Sequence, residues 1–446
     1  MPRYAVISKG LNISKLKEEV LRIGGRNIKV ISLMEQIYCD LDEAGAQKLA
    51  TTPGLTVKQV KGVSATPIRA PKYIVGQEPT EIQPTYSVLY GSELARFYEL
   101  RDMFSPPILG NRAVCAVLDS GIRSSHRGLR GKVVREVNFS NSPTCEDIYN
   151  HGTGVAYVLC GGVHSPGSDS GMSPGTKVVN IKVLDDDGTG SEENVVLGLE
   201  EVIRSKNEAF NGEGLWDPIN IHTVNLSFGS EDDGDPDNPM RVACRKVIHC
   251  PKAEGYTITI GAAAGNDGPE PGTIMCPATD PEVLAVGNLL FYPFEVNPTS
   301  SRGPTKEGVI KPDIVYFGTN INVASSIDDD AYHAASGTSF SVPFMIGGGT
   351  CGWELTRRLR GEHLKISVEE WIEWIKFMSM KPQGVSMEKD NTWGYGFPWG
   401  GKMIEALTGM AAPKFMISAI TDIAVPIMGL GMVGMMMAGM AKGMSK

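Results

Sequence analysis

The sequence predicts an α/β fold, in which helices flank a mainly parallel sheet and a small α+β unit precedes it. From Asn111 onward, short apolar segments typical of buried strands alternate with helical segments, which is the pattern of parallel α/β sheets. Residues 3–62 show a different order of strands and helices. The chain has 446 residues, of which 41% are hydrophobic, and this is enough for one large core and smaller additional units.

The first unit, residues 1–62, has its own pattern. Asn12 or Ser14 can cap its first helix, and Gly24-Gly25 ends that helix. The predicted strands lie at residues 4–7, 28–31, 37–41 and 55–60, and the predicted helices at 13–23 and 41–49. The resulting βαββαβ order is that of a ferredoxin-like fold.

Residues 63–90 hold several Pro, Thr and Ser without periodicity, and we interpret them as a linker. Residues 91–410 form the predicted α/β domain, which begins with a helix at 92–104. Its other strands are predicted at 113–118, 178–183, 223–226, 257–262 and 283–286, and its other helices at 151–160, 191–206, 239–250, 340–358 and 366–380.

The C-terminal tail, residues 411–446, differs in composition from the rest of the chain. Residues 423–441 contain no charged side chain, and as a helix they would span about 28 Å, near the thickness of a bilayer core. Gly434 and Ala438 have the small-xxx-small spacing that lets membrane helices approach closely. The alternative is a flexible or surface-docked tail, because Gly and Pro weaken a helix in water. Both interpretations stay open.

Charge and cysteine content exclude some functions. The net charge of −9 argues against a nucleic-acid partner. The cysteines form no CxxC pair, which disfavours a zinc site and leaves buried reduced thiols as the expectation. Residues 1–8 lack the apolar run of a signal peptide, so we expect a cytoplasmic protein or one associated with a membrane through its tail.

Ser339 stands in the segment Gly337-Thr338-Ser339-Phe340-Ser341-Val342-Pro343, where a Gly-Thr turn meets the start of a predicted helix. A hydroxyl at a helix N-terminus lies where backbone N–H groups favour developing negative charge. A Gly-Thr-Ser turn is also common in ordinary loops. Its meaning therefore depends on whether the chain supplies a base, an acid that orients the base, and an oxyanion donor.

Three further motifs supply these groups. Asp119 ends an apolar strand, so its carboxylate is expected in the crevice at the carboxyl edge of the sheet. His151 is followed by Gly-Thr-Gly, small residues that let a helix start pack closely against neighbouring backbone. Asn266 follows a strand and can donate to an oxyanion without titrating. Taken singly, each has a simpler interpretation as a turn-capping Asp, a structural His or a turn Asn.

Together these motifs, in the order Asp119-Ser-Gly, His151-Gly-Thr, Gly265-Asn266 and Gly337-Thr-Ser339, resemble the subtilisin-like serine peptidase (subtilase) family. The similarity extends from about residue 110 to 408. The resemblance implies a subtilisin-like fold and an endopeptidase that acts on polypeptides without a cofactor. It implies that Ser339 is the nucleophile, His151 the general base, Asp119 the residue that orients it, and Asn266 an oxyanion donor.

The resemblance carries further expectations. The first unit is similar to the family's inhibitory prodomain, so activation by a cut between residues 63 and 90 is expected. Structural calcium is implied by family habit, with no ligands assigned. The alternative function is a binding or scaffold protein that keeps the fold without turnover.

Two segments resemble the walls that hold an extended substrate in this family: Gly188, Thr189 and Gly190, and Ser227, Phe228 and Gly229. An extended peptide between such edges gains main-chain hydrogen bonds regardless of its sequence. Asp232 occupies the position of an acidic residue that, in the kexin/furin branch, lines the pocket for a basic side chain. By this match it could pair with a substrate Arg or Lys at P1, and the alternative is a solvated acidic loop.

Overall fold

The computed structural model describes residues 1–65, 85–162, 169–211, 219–250, 258–360 and 368–408. Its first unit contains β1 (Arg3–Ser8), α1 (Ile13–Arg22), β2 (Arg26–Ile31), β3 (Gln36–Asp40), α2 (Glu43–Ala50) and β4 (Leu55–Gln59). The strands form an antiparallel sheet in the order β2-β3-β1-β4, as in a ferredoxin-like fold. Both helices start at side-chain caps, because Asn12 accepts from the Ser14 N–H and Asp42 from the Gly45 N–H.

The predicted linker is structured at both ends. Residues Gly62–Ala65 form β5, and residues 66–84 lie outside the described part of the chain. The single helix predicted at 92–104 is wrong: α3 (Val88–Leu94) and α4 (Phe97–Asp102) take its place. The break falls at Arg96, whose φ of 56° cannot continue a helix.

The larger unit is the predicted α/β domain, and its fold class is confirmed. Its strands are β6 (Val114–Asp119), β7 (Val133–Asn138), β8 (Lys177–Lys182), β9 (Thr189–Ser191), β10 (Thr223–Leu226), β11 (Phe228–Gly229), β12 (Thr259–Ala263), β13 (Leu284–Leu289), β14 (Ile314–Phe317), β15 (Ile321–Ala324), β16 (Tyr332–Ala335), β17 (Ser379–Met380) and β18 (Phe397–Pro398). Its helices are α5 (Gly152–Cys160), α6 (Glu192–Asn211), α7 (Pro239–Ile248), α8 (Thr338–Arg360), α9 (Val368–Met378) and α10 (Gly400–Leu407).

Seven parallel strands form the central sheet, in the order β14-β13-β12-β10-β6-β8-β7. Successive side chains of β6 enter different cores: Cys115 and Val117 pack on the α5 and α8 side, and Ala116 on the α6 and α7 side. The chain leaves β6 toward β7 and β8 on one side, and β10 lies on the other. This switch point opens a crevice at the carboxyl ends of β6 and β10.

The first unit packs against α6 and α7 of the larger domain. Tyr38 and Met34 are fully buried in the core on that side of the central sheet. The Arg3 guanidinium binds both carboxylate oxygens of Glu193, at 2.8 and 3.0 Å. Charged pairs with the 231–237 loop also cross the contact: Lys61 lies 3.4 Å from Asp233, and Lys58 binds Asp235.

Candidate active site

Asp119 and His151 form a buried pair at the end of β6. The Asp119 carboxylate Oδ1 lies 2.7 Å from Nδ1 of His151 and also accepts from the Ser120 N–H at 2.7 Å. Both side chains are almost completely buried. On the other side of the ring, Nε2 of His151 has no hydrogen-bond partner among the described residues. The imidazole is thus oriented through Nδ1, while its buried Nε2 makes no hydrogen bond to any described residue.

The small residue after His151 makes this pairing possible. A Cβ on Gly152 would lie 2.2 Å from the Gly121 carbonyl oxygen and 3.0 Å from Cβ of Asp119. Only glycine allows α5 to start so close to the end of β6. The close approach predicted from the Gly-Thr-Gly pattern is therefore present.

Ser339 is the second residue of α8, so the predicted hydroxyl at a helix N-terminus is observed. Pro343 lies in the second turn of α8, and its missing N–H leaves the Ser339 carbonyl without its intrahelical partner. The Ser227 hydroxyl donates to that carbonyl at 2.8 Å, and the Ser339 Oγ donates to the Ser227 carbonyl at 3.1 Å. These two bonds tie the α8 start to the end of β10.

His151 lies beside the same helix start. Its ring centroid is 5.6 Å from that of Phe340, the residue that follows Ser339. Asn266 also reaches this point, because its Oδ1 accepts from the Thr338 N–H at 3.0 Å. A Cβ on Gly337, whose φ is 144°, would lie 3.1 Å from Nδ2 of Asn266. The four predicted motifs therefore meet at one place.

The two predicted substrate walls flank an extended segment of the chain itself. Strand β5 lies between β9 and β11 and is antiparallel to both. Ser64 is opposite both Thr189 and Gly229, and the Ala65 N–H donates to the Gly188 carbonyl at 2.9 Å. The crevice therefore holds residues 62–65 through main-chain hydrogen bonds.

The sequence profile of the subtilase family (Peptidase_S8) matches residues 110–367 of this chain, more than half of its length. The chain belongs to the subtilase family. Its match to serine protease AprX of Bacillus subtilis is 30% identical over 263 residues, which is 54% of this chain and 56% of AprX. It is 25% identical to subtilisin amylosacchariticus of Bacillus subtilis subsp. amylosacchariticus over 339 residues, 76% of this chain and 75% of that protein.

Among solved structures, sphericase matches this subtilase with a TM-score of 0.51 and 24% identity. The match covers 65% of this chain and 91% of sphericase, and at this identity it shows the shared fold alone. The resemblance first drawn from four short motifs is thus confirmed at the level of the family.

The electrostatics of this subtilase site raise the pKa of His151. Burial lowers the pKa of the imidazole, but the charge and hydrogen bond of Asp119, with a smaller contribution from Asp147, outweigh it. The pKa of His151 therefore lies above its usual value. An imidazolium formed by proton uptake is stabilised at this position.

Asp232 is buried, which contradicts the solvated-loop interpretation at this residue, although its neighbour Glu231 is exposed. The Asp232 Oδ1 accepts from the Gly234 N–H at 3.2 Å, and its Oδ2 has no hydrogen-bond partner among the described residues. Asp232 lies three residues after Gly229, and Gly229 pairs with Ser64. A buried carboxylate oxygen thus lies close in sequence to one wall of the crevice.

Asp147 is a site residue that the sequence analysis missed. Its Oδ2 accepts from the Thr153 N–H at 2.8 Å, and its Oδ1 accepts from the Ser120 hydroxyl at 2.8 Å. Asp147 therefore accepts from a backbone N–H at the start of α5, where the His151 side chain makes no capping hydrogen bond. Burial and the charge of Asp119 raise the pKa of Asp147. The signal in the sequence that could have identified this role was an Asp shortly before a predicted helix start.

We expect Asp147→Asn to move the acidic limb of the pH–rate profile to lower pH. Activity needs neutral His151 and falls as pH drops through its pKa, and loss of the Asp147 charge removes one cause that raises this pKa. The measurement is kcat/KM for a peptide substrate from pH 5 to 9. Glu146→Gln, a neighbouring acid, is the control that should leave the limb in place. An unchanged limb in Asp147→Asn would contradict the assignment.

No group of three or more acidic, His or Cys side chains suited to a metal ion occurs among the described residues. The carboxylates of Asp233, Asp235 and Asp237 bind lysines of the first unit instead. These residues do not fit a calcium site, and calcium stays a prediction. The cysteines are free thiols, buried except for partly exposed Cys145.

Within the described ranges, none of the helices is long and apolar enough to cross a bilayer. The tail at 411–446 lies outside those ranges, so its membrane association also stays a prediction.

Proposed function

We propose that this protein is a serine endopeptidase that hydrolyses peptide bonds in polypeptides. The observation that carries the proposal is the meeting of the Asp119–His151 pair with the Ser339 end of α8, beside a crevice that holds an extended strand. Family membership and the similarity to proteins named as proteases and subtilisins support it.

In the proposed mechanism, the Ser339 Oγ attacks the scissile carbonyl carbon and its proton passes to Nε2 of His151. Asp119 holds the Nδ1–H tautomer and stabilises the imidazolium. The Asn266 amide and the Ser339 N–H bind the tetrahedral oxyanion, and loss of one such donor costs about 3–4 kcal/mol. His151 then gives its proton to the leaving amine, and water releases the acyl group by the same steps.

Labelling with a fluorophosphonate tests this function. The probe phosphonylates only an activated serine, so we expect one label, located at Ser339 by peptide mapping, in protein freed of residues 1–65. The label should disappear below the pKa of His151, because the protonated ring cannot act as a base. A folded protein that takes no label at any pH would support the alternative of a scaffold without turnover.

We propose that the first unit inhibits the enzyme until the chain is cut. The support is β5, which fills the crevice as a substrate strand would, and the buried contact of the first unit with α6 and α7. The cut proposed between residues 63 and 90 would free one end of β5. A chain carrying Ser339→Ala, which cannot cut itself, should stay full length.

We propose that Asp232 favours a basic side chain at P1. Its buried Oδ2, which has no hydrogen-bond partner among the residues that the structure describes, is available for a charge-assisted hydrogen bond with Arg or Lys. A peptide library cleaved by the activated enzyme should show Arg and Lys at P1 at least tenfold above Leu, by the scale of such bonds. Asp232→Asn should abolish the preference, whereas Asp233→Asn should keep it. A profile that is the same in Asp232→Asn would refute the assignment.

A further inference from the structure

A cavity separate from the crevice lies between α4, α9, α10 and the middle of α8, roughly 10 to 25 Å along the α8 axis from Ser339. Its walls are apolar and include Leu100, Leu355, Trp374 and Met403. The empty volume, with the open mouth and its solvent included, is about 560 Å³. The residues that form the candidate active site do not line it.

Arg101 is the one charged residue among the described residues that line this cavity. Arg101 is almost completely buried, with only 2% of the residue exposed. Nη1 donates to the carbonyl oxygens of Gly171 and Met172, but Nε and Nη2 have no hydrogen-bond partner within the described part of the chain. Among the described residues, no carboxylate forms an ion pair with Arg101. Burial accordingly lowers its pKa.

The Arg101 guanidinium lies over the Tyr98 ring, 5.1 Å from the ring centroid. A buried cation with no carboxylate beside it is still costly unless a ligand supplies the negative charge. Nε and Nη2 lie on one edge of the planar guanidinium, and this edge receives a carboxylate through two parallel hydrogen bonds. Trp371 also lines this cavity, and its indole Nε1 is buried with no hydrogen-bond partner in the described ranges. The cavity lining therefore combines apolar walls with a guanidinium that has unused donors.

We propose that this cavity binds a free medium-chain aliphatic carboxylate, with the carboxylate on the open edge of Arg101 and the alkyl chain against the apolar walls. Glycines of α8 leave room for the chain. A Cβ on Gly352 would already lie 3.2 Å from Trp371, whereas a Cβ on Gly348 meets its nearest neighbour, Met172, at 3.6 Å. A larger side chain at Gly348 can therefore enter the cavity without displacing the helix.

The test uses full-length Ser339→Ala protein, to exclude self-digestion, titrated with octanoate, octanol and octylammonium by calorimetry and thermal unfolding. Octanoate should bind saturably, at least tenfold more tightly than octanol, and should raise the Tm. Octylammonium should bind more weakly than both. Arg101→Met should lower octanoate affinity to that of octanol, and Gly348→Leu should abolish binding of both.

Circular dichroism and fluorophosphonate labelling of the same cavity variants, made with Ser339 intact, show whether they fold. Equal affinity for octanoate and octanol would overturn the proposal, because Arg101 would then play no part. Octanoate binding that survives in folded Arg101→Met or Gly348→Leu would overturn it as well, since the ligand would then lie elsewhere.

Discussion

Ser339→Ala should lower kcat for peptide hydrolysis by about 10⁶-fold, the scale of loss when a triad serine is removed. The substitution deletes the Oγ proposed to attack the substrate and leaves the Ser339 carbonyl, which holds the Ser227 hydroxyl, in place. The α8 start should therefore keep its position, and the Tm should change little. The measurement is single-turnover cleavage of a fluorogenic peptide, with the length of the purified chain recorded alongside.

Ser341→Ala is the matched control. Ser341 lies two residues further along α8, is equally buried, and its Oγ has no hydrogen-bond partner among the described residues. Its loss should leave the rate within tenfold. Retention of more than about one hundredth of the wild-type rate by Ser339→Ala would show that another group is the nucleophile, since about 10⁶-fold loss is expected. Normal processing of that variant when expressed alone would rule out self-cleavage.

The sequence predicted those features of the site that depend on neighbouring residues in the chain. His151 and Ser339 each stand at a helix start that glycines identify, Gly152 by close packing and Gly337 by its positive φ. Asp119 ends a strand that is apolar on both faces, so its place at the sheet edge follows from the pattern. The meeting of these residues was inferred from resemblance, because no single motif specifies its distance from the others.

What the sequence could not show depends on tertiary contacts. Residues 62–65 have no strand pattern, and they become extended only because β9 and β11 supply partners on both edges. The helix break at Arg96 is held by the later part of the chain: the Ala95 carbonyl accepts from the Gly400 N–H, and the Arg96 guanidinium lies over Trp399. Asp147 was missed for the same reason, since its bond to Ser120 joins two separate turns.

Asp119→Asn should lower kcat/KM by about 10⁴-fold. In the structure, one oxygen of Asp119 accepts from both the Ser120 N–H and Nδ1 of His151. An amide can keep its oxygen there only by placing its NH₂ group where Oδ2 now lies, buried and without a partner among the described residues. The reverse orientation points NH₂ at the Ser120 N–H and forces the wrong imidazole tautomer. Neither arrangement stabilises an imidazolium.

The pH profile separates this role from a structural one. Asp119 is the principal cause that raises the pKa of His151 against the effect of burial, so its neutralisation lowers that pKa. The residual activity of Asp119→Asn should therefore extend to lower pH even as its maximum falls. Asp147→Asn neutralises the other buried carboxylate beside His151 and should move the limb the same way with less than tenfold loss of rate. If Asp119→Asn and Asp147→Asn lost rate equally, the charge of Asp119 would have no catalytic role beyond that of Asp147. Each carboxylate would then act only by holding backbone turns in place.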